Sequence, residues 1–159
     1  MRILIASDKF KGSATGPQVA SALAEGILAV APDVAIDAVP VADGGEGTVD
    51  AALAAGFEEV TATVTGPTGQ PVQARFGVRG TQAIIEMAAA SGLDQLPGGV
   101  KDALGATSRG TGELIAAALG RGATRIVLGI GGSANTDGGA GMLQALGVSL
   151  RDADGQELP

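Results

Sequence analysis

Three glycine-rich segments hold the residues able to do chemistry: Ser7 to Ser13, Ala42 to Thr48, and Gly129 to Gly141. In the first, Asp8 can hold a metal or orient a hydroxyl. Lys9 and Lys11 can neutralise a phosphate or carboxylate, and Gly12 beside Ser13 lets backbone approach an anion. In the second, Gly44, Gly45 and Gly47 cost chain entropy, which is useful where backbone N–H groups must face a ligand. Asp43 and Glu46 stand three apart, close enough to share a cation or a substrate proton. In the third, Gly131, Gly132 and Ser133 precede Asn135, Thr136 and Asp137, a carboxylate held between polar residues and more glycines. Each segment taken alone also suits a capped turn. Two further stretches read more simply as caps or turns: Glu86 to Gly92, and Thr107 to Glu113, where Arg109 could clamp an anion at a helix start.

The residues that are missing narrow the chemistry. The 159-residue chain has no Cys and no His. Thiolate nucleophiles, disulfides, zinc–thiolate sites and imidazole bases are therefore excluded within it. The remaining inventory is carboxylates, Lys, Arg, hydroxyls and backbone dipoles, with a hard cation such as Mg²⁺ as the matching metal. The net charge of −7 and three Phe as the only aromatic residues argue against a nucleic-acid surface and an anionic membrane. No apolar run reaches the length of a membrane span or a signal segment, so a cytoplasmic location is expected.

Positioning these loops requires buried strands. Ile3–Ala6 and Arg125–Ile130 are continuous apolar runs of the kind buried on both faces. Pro17 suits a helix start, and Val19, Leu23, Ile27 and Val30 recur at helical spacing. Val34–Val39 reads as the next strand, completing a βαβ unit with parallel strands. Val60, Ala62 and Val64 alternate with Thr, and Val72 to Val78 alternate again after Gly66-Pro67-Thr68-Gly69. That pattern predicts an antiparallel hairpin. Gln82–Met87 reads as a strand, Thr111–Leu119 as a helix, and residues 141–146 as a last helix. The change of pattern near residue 57 marks a domain boundary, with units 1–57 and 58–159. A turn signal at Asp154-Gly155 begins a hairpin with little chain left to finish it, so a piece of a longer polypeptide is expected. Apolar surface at a cut sheet edge would then favour self-association.

The stretches SDKFKGS, VADGGEGTVDA, VTGPTGQPVQARFG, IIEMAAASGL, TGELIAAAL, GIGGSANTDGGAGMLQALG and DADGQEL occur in that order. With them the chain resembles glycerate kinases of type I, the glycerate 2-kinase family, over essentially its whole length. Family members run to well over twice this length, so the resemblance implies an N-terminal portion. It also implies an α/β fold of two domains, one flavodoxin- or Rossmann-like and one with a mixed sheet, with the active site between them. The implied activity is phosphorylation of D-glycerate by ATP with Mg²⁺. For that reaction the residues of the three loops give an expected catalytic set of Asp8, Lys11, Asp43 and Asp137, with Asp43 at the metal. Gly12, Ser13, Gly44, Gly45, Glu46, Arg109, Gly131, Gly132 and Ser133 are the expected substrate or nucleotide contacts. Ser7 departs from the family, which carries Pro there, and Asn135-Thr136 departs from the usual Thr-Asn or Ser-Thr. Two other readings remain open on the residues. Gly129–Ala134 formally matches G-x-G-x-x-A with Asp152 about 20 residues on, the mark of a nicotinamide-type oxidoreductase. A binding module without turnover is the other.

Overall fold

A computed structural model describes residues 1–10 and 12–158. Lys11 and Pro159 lie outside the described residues, so the expected role of Lys11 has no geometry to set beside it.

Two sheets carry the loops. Strand β1 (Arg2–Ile5) pairs in parallel with β2 (Ala35–Ala38), and helix α1 (Gly16–Val30) connects them. Thr15 caps α1 in a reciprocal capping box with Gln18, and Pro17 sits in its first turn. The second sheet has the order β3 (Glu58–Thr65), β4 (Pro71–Arg79), β5 (Gln82–Glu86), β6 (Arg125–Gly129). β3, β4 and β5 run antiparallel, while β5 and β6 are parallel. The expected hairpin is β3–β4, closed where the Gly66 N–H donates to the Gln70 carbonyl at 2.7 Å. The remaining helices are α2 (Thr48–Ala54), α3 (Ala88–Ser91), α4 (Arg109–Gly120) and α5 (Ala140–Ala145).

The core belongs to the second sheet. Phe76, Ile85 and Leu114 are fully buried, together with Val64, Ala83 and Ala118. Leu114 and Ala118 bring α4 onto one face. Successive strand residues point to opposite faces, so Gly77 faces away from Phe76. A Cβ at Gly77 would meet Phe57 and Ala52, placing α2 on that other face. α2 thus precedes residue 57 in the chain yet packs on β4 and β5.

Two expectations fail at the first sheet and at β6. Neither apolar run is buried on both faces. Leu4 of β1 is 63% exposed and Val127 of β6 is 49% exposed. The helical stripe on α1 is also incompletely covered, with Val30 85% exposed. A continuous apolar run records what the strand is made of. Coverage depends on what packs against it, and a two-stranded sheet offers little area.

Candidate functional site

The three loops leave the carboxyl ends of β1, β2 and β6, the side of an α/β sheet where ligands bind. They converge on one cleft of about 1210 Å³, roomy enough for small-molecule ligands. Asp8, Gly12 and Ser13 line it from the first loop, and Asp43, Gly45 and Glu46 from the second. Gly131 and Gly132 line it from the third.

Lys9 ties the first loop to the second. Its backbone N–H donates to Asp8 Oδ1 at 2.7 Å. Its Nζ donates to the Glu46 carbonyl and stands 3.8 Å from Glu46 Oε2. Asp43 Oδ1 accepts from the Gly45 N–H at 3.0 Å, which shapes the turn. The Glu46 carboxyl is held above the ordinary carboxylate range, first by a hydrogen bond with Asp94, then by burial and by the Asp94 charge, with Lys9 opposing. Asp94 comes from the short 3₁₀ helix Leu93–Gln95 after α3, 48 residues away in sequence, and no local pattern announced it.

The second and third loops touch backbone to backbone. The Gly131 N–H donates to the Gly44 carbonyl at 2.9 Å. A Cβ at Gly131 would stand 2.7 Å from Gly45 Cα, and one at Gly129 would stand 2.5 Å from the Gly44 carbonyl oxygen. Such approaches are closer than real side chains tolerate, so glycine at 129 and 131 is demanded by loop packing. Gly44 itself serves this contact and does not line the cleft.

Asp137, Arg109 and Ser133 are not brought into the cleft lining. The Asp137 carboxylate accepts from the Ser108 N–H and hydroxyl at 2.8 Å each, the Gly139 N–H at 3.0 Å and the Gly141 N–H at 3.2 Å. Burial alone would raise its pKa, but the bonds from Ser108, Gly139 and Gly141 outweigh that and hold it below the ordinary value. The Ser108 hydroxyl in turn accepts from the Met142 N–H at 2.9 Å. Asp137 is therefore a clasp joining the starts of α4 and α5. Arg109 pairs with Glu113 one turn along α4 at 3.2 Å. The Ser133 hydroxyl donates to the Asn135 carbonyl at 3.1 Å and closes a turn within its own loop.

The formal dinucleotide pattern finds no matching context. α5 begins at Ala140, eleven residues after Gly129, whereas in a dinucleotide fold the glycines open the helix directly. The charge balance of the lining points elsewhere. Asp8, Asp43, Glu46, Asp50, Glu86 and Asp94 face Lys9 and Arg75, and Arg75 is already bound to Asp50 at 2.6 Å and Glu59 at 3.2 Å. An anionic ligand entering so acidic a cleft needs accompanying positive charge. Among the described residues no three acidic side chains cluster closely enough to cage a metal. Mg²⁺ needs no such cage, because one or two carboxylates plus phosphate and water suffice. The hard oxygen donors of Asp8 and Asp43 fit that demand.

Comparison with known proteins agrees with this geometry. The model of the glycerate kinase family matches residues 3–159. Glycerate 2-kinase of Escherichia coli K12 is 54% identical over 162 residues, covering 99% of this chain and 42% of the relative. Glycerate kinase of Bacillus subtilis 168 is 50% identical, covering 99% and 42%. The crystal structure of a Salmonella typhimurium LT2 protein assigned as glycerate kinase 2 superposes with a TM-score of 0.82 at 50% identity, over 99% of this chain and 43% of that one. The chain thus spans about 42% of the length of the curated relatives it matches.

Proposed function

The chain belongs to the glycerate kinase family, and we propose that its cleft serves the ATP-dependent phosphorylation of D-glycerate to a phosphoglycerate. The observation that supports this reading most is the convergence of Asp8, Asp43 and the Gly131–Gly132 backbone on one acidic cleft. Phosphoryl transfer asks for alignment, charge neutralisation and a weak base, and needs neither His nor Cys. Asp8 and Asp43 act at the substrate hydroxyl, one of them accepting its proton as the oxygen attacks the γ-phosphorus and ADP leaves. Asp43 is also the proposed metal ligand, and Mg²⁺, when bound, offsets phosphate charge there.

Lys9 holds the first loop against the second, and Lys11 from the same loop meets the phosphoryl group or the glycerate carboxylate. Gly131 and Gly132 line the cleft beside the ligand, with the Gly131 N–H held by the Gly44 carbonyl. Asp137 shapes the third loop from outside the cleft. Arg109 and Ser133 stay bound to neighbours in their own segments. We place the protein in the cytoplasm, and no helix among the described residues is long and apolar enough to cross a membrane. The proposed division is 1–57 and 58–159, with α2 docked across it. The exposed Leu4, Val127 and Ile130 support self-association of the chain on its own, which light scattering reports. A monodisperse monomer contradicts that part.

The test of the reaction is a coupled ADP-release assay on the full natural polypeptide that carries this chain. Turnover with D-glycerate and MgATP is expected, and little from these residues alone. Titration with NAD(H) is expected to show no binding. Binding of NAD(H) without ADP release overturns the reading.

A further inference from the structure

Glu86 is absent from the expected site, yet it is the buried carboxylate of the cleft. It ends β5 opposite Gly129 in the register with β6 and is 6% exposed. Among the described residues no Lys or Arg forms an ion pair with it. A carboxylate buried without a counter-charge is unfavourable unless hydrogen bonds hold it. Its Oε2 accepts from the Val49 N–H at 3.1 Å, across 37 residues of sequence. Val49 lies in the first turn of α2, directly after the loop that carries Asp43.

This bond closes a circuit. The Met87 N–H donates to the Gly129 carbonyl at 2.9 Å, tying the end of β5 to the start of the third loop. The Gly131 N–H donates to the Gly44 carbonyl at 2.9 Å, tying the third loop to the second. Glu86 to Val49 ties the second loop back to β5. That last link adds a buried hydrogen bond, at the end of α2 nearest Asp43, to the Arg75–Asp50 ion pair that also holds α2 on the second sheet. An acceptor there takes up a first-turn amide that has no carbonyl partner within the helix.

We propose that Glu86 is a positioning residue: its carboxylate holds the start of α2, and through it fixes Asp43 against the Gly131–Gly132 backbone. The inference rests on the phosphoryl-transfer reading for its kinetic consequence, though not for its structural one. Its role needs an acceptor at Oε2 rather than a negative charge, and this separates it from a catalytic base.

The experiment compares Glu86→Gln and Glu86→Ala in the full natural polypeptide, by ADP release and by hydrogen exchange of residues 43–50. Glutamine keeps an acceptor, so Glu86→Gln is expected to retain Val49 amide protection and kcat within about threefold. Glu86→Ala is expected to lose that protection and to lower kcat by about tenfold or more, with KM for D-glycerate and ATP little changed, as misplacement of a reacting group does. If the Ala variant does not fold, the Gln variant decides alone: wild-type kcat and exchange support the role, and a large loss of kcat with protection intact overturns it. Full activity and protection in a folded Ala variant also overturn it. Absence of glycerate turnover in the wild type defeats the reaction reading instead, and the exchange data still settle the Glu86–Val49 link.

Discussion

The two sheets solve the same problem unequally. The second buries Phe76 and Ile85 against Leu114 of α4 and carries α2 on its other face, whereas the first leaves Leu4 of β1 63% exposed and buries no residue of α1. Both supply loops to one cleft. The second sheet contributes Gly129 and Gly131, packed so closely on Gly44 and Gly45 of the loop after β2 that they define one arrangement. The first contributes charge, in Asp8 and Lys9 on a loop whose support is thin. Precision in the site therefore comes from the seam where glycines of the two sheets' loops meet, and the loop after β1 adds ionic reach from a thinner support.

That contrast can be broken by substitution. The largest effect is expected in the second core: Phe76→Ala should lose about 3–5 kcal/mol of unfolding free energy. Leu4→Ala on the exposed strand should change it by only about 0.5 kcal/mol. Urea unfolding of both variants measures the difference, and similar losses would erase the contrast. Gly131→Ala is expected to be next, at about 1–3 kcal/mol, because its Cβ has no room against Gly45. Loss of ligand binding should accompany it in calorimetry.

The Asp137 clasp sharpens the comparison through pH. Its folded pKa lies below the ordinary value, so its carboxylate binds fewer protons folded than unfolded near pH 4. The stability it contributes is therefore complete above the unfolded value of 3.8 and is lost as pH falls through the folded one. Asp137→Asn should lower stability at neutral pH by about 1–3 kcal/mol and flatten the acid limb of the curve. Thermal unfolding from pH 7 to pH 3 checks both. The last change is a gain in the weaker half. Ser7 Oγ is buried without a hydrogen-bond partner among the described residues. Ser7→Ala should stabilise by about 1 kcal/mol in the same unfolding assay.

Much of this architecture was legible because its signals are local. The alternation through Val60–Val64 and Val72–Val78, the turn at Gly66–Gly69, and Pro17 at the start of α1 each describe neighbours in the chain. The membership of the cleft was partly legible, since Asp8, Asp43 and Gly131 lie in conspicuous glycine-rich loops. What escaped was long-range. Glu86 meets Val49 across 37 residues and Asp137 meets Ser108 across 29, and neither pairing has a local pattern. Gly131 was read as a ligand contact, whereas its close approach to Gly45, like that of Gly129 to Gly44, depends on how two distant loops pack. The exposure of Leu4 and Val127 was equally hidden, because an apolar run shows composition and not coverage.

The central claim is that acidic side chains on converging loops drive phosphoryl transfer to a glycerate hydroxyl, and Asp43→Asn in the full natural polypeptide tests it most directly. With saturating D-glycerate and MgATP, ADP release should fall by about 10²–10⁴-fold in kcat, as loss of a positioned proton acceptor predicts, while the unfolding midpoint stays near that of the wild type. An unchanged kcat in the folded variant would contradict the claim.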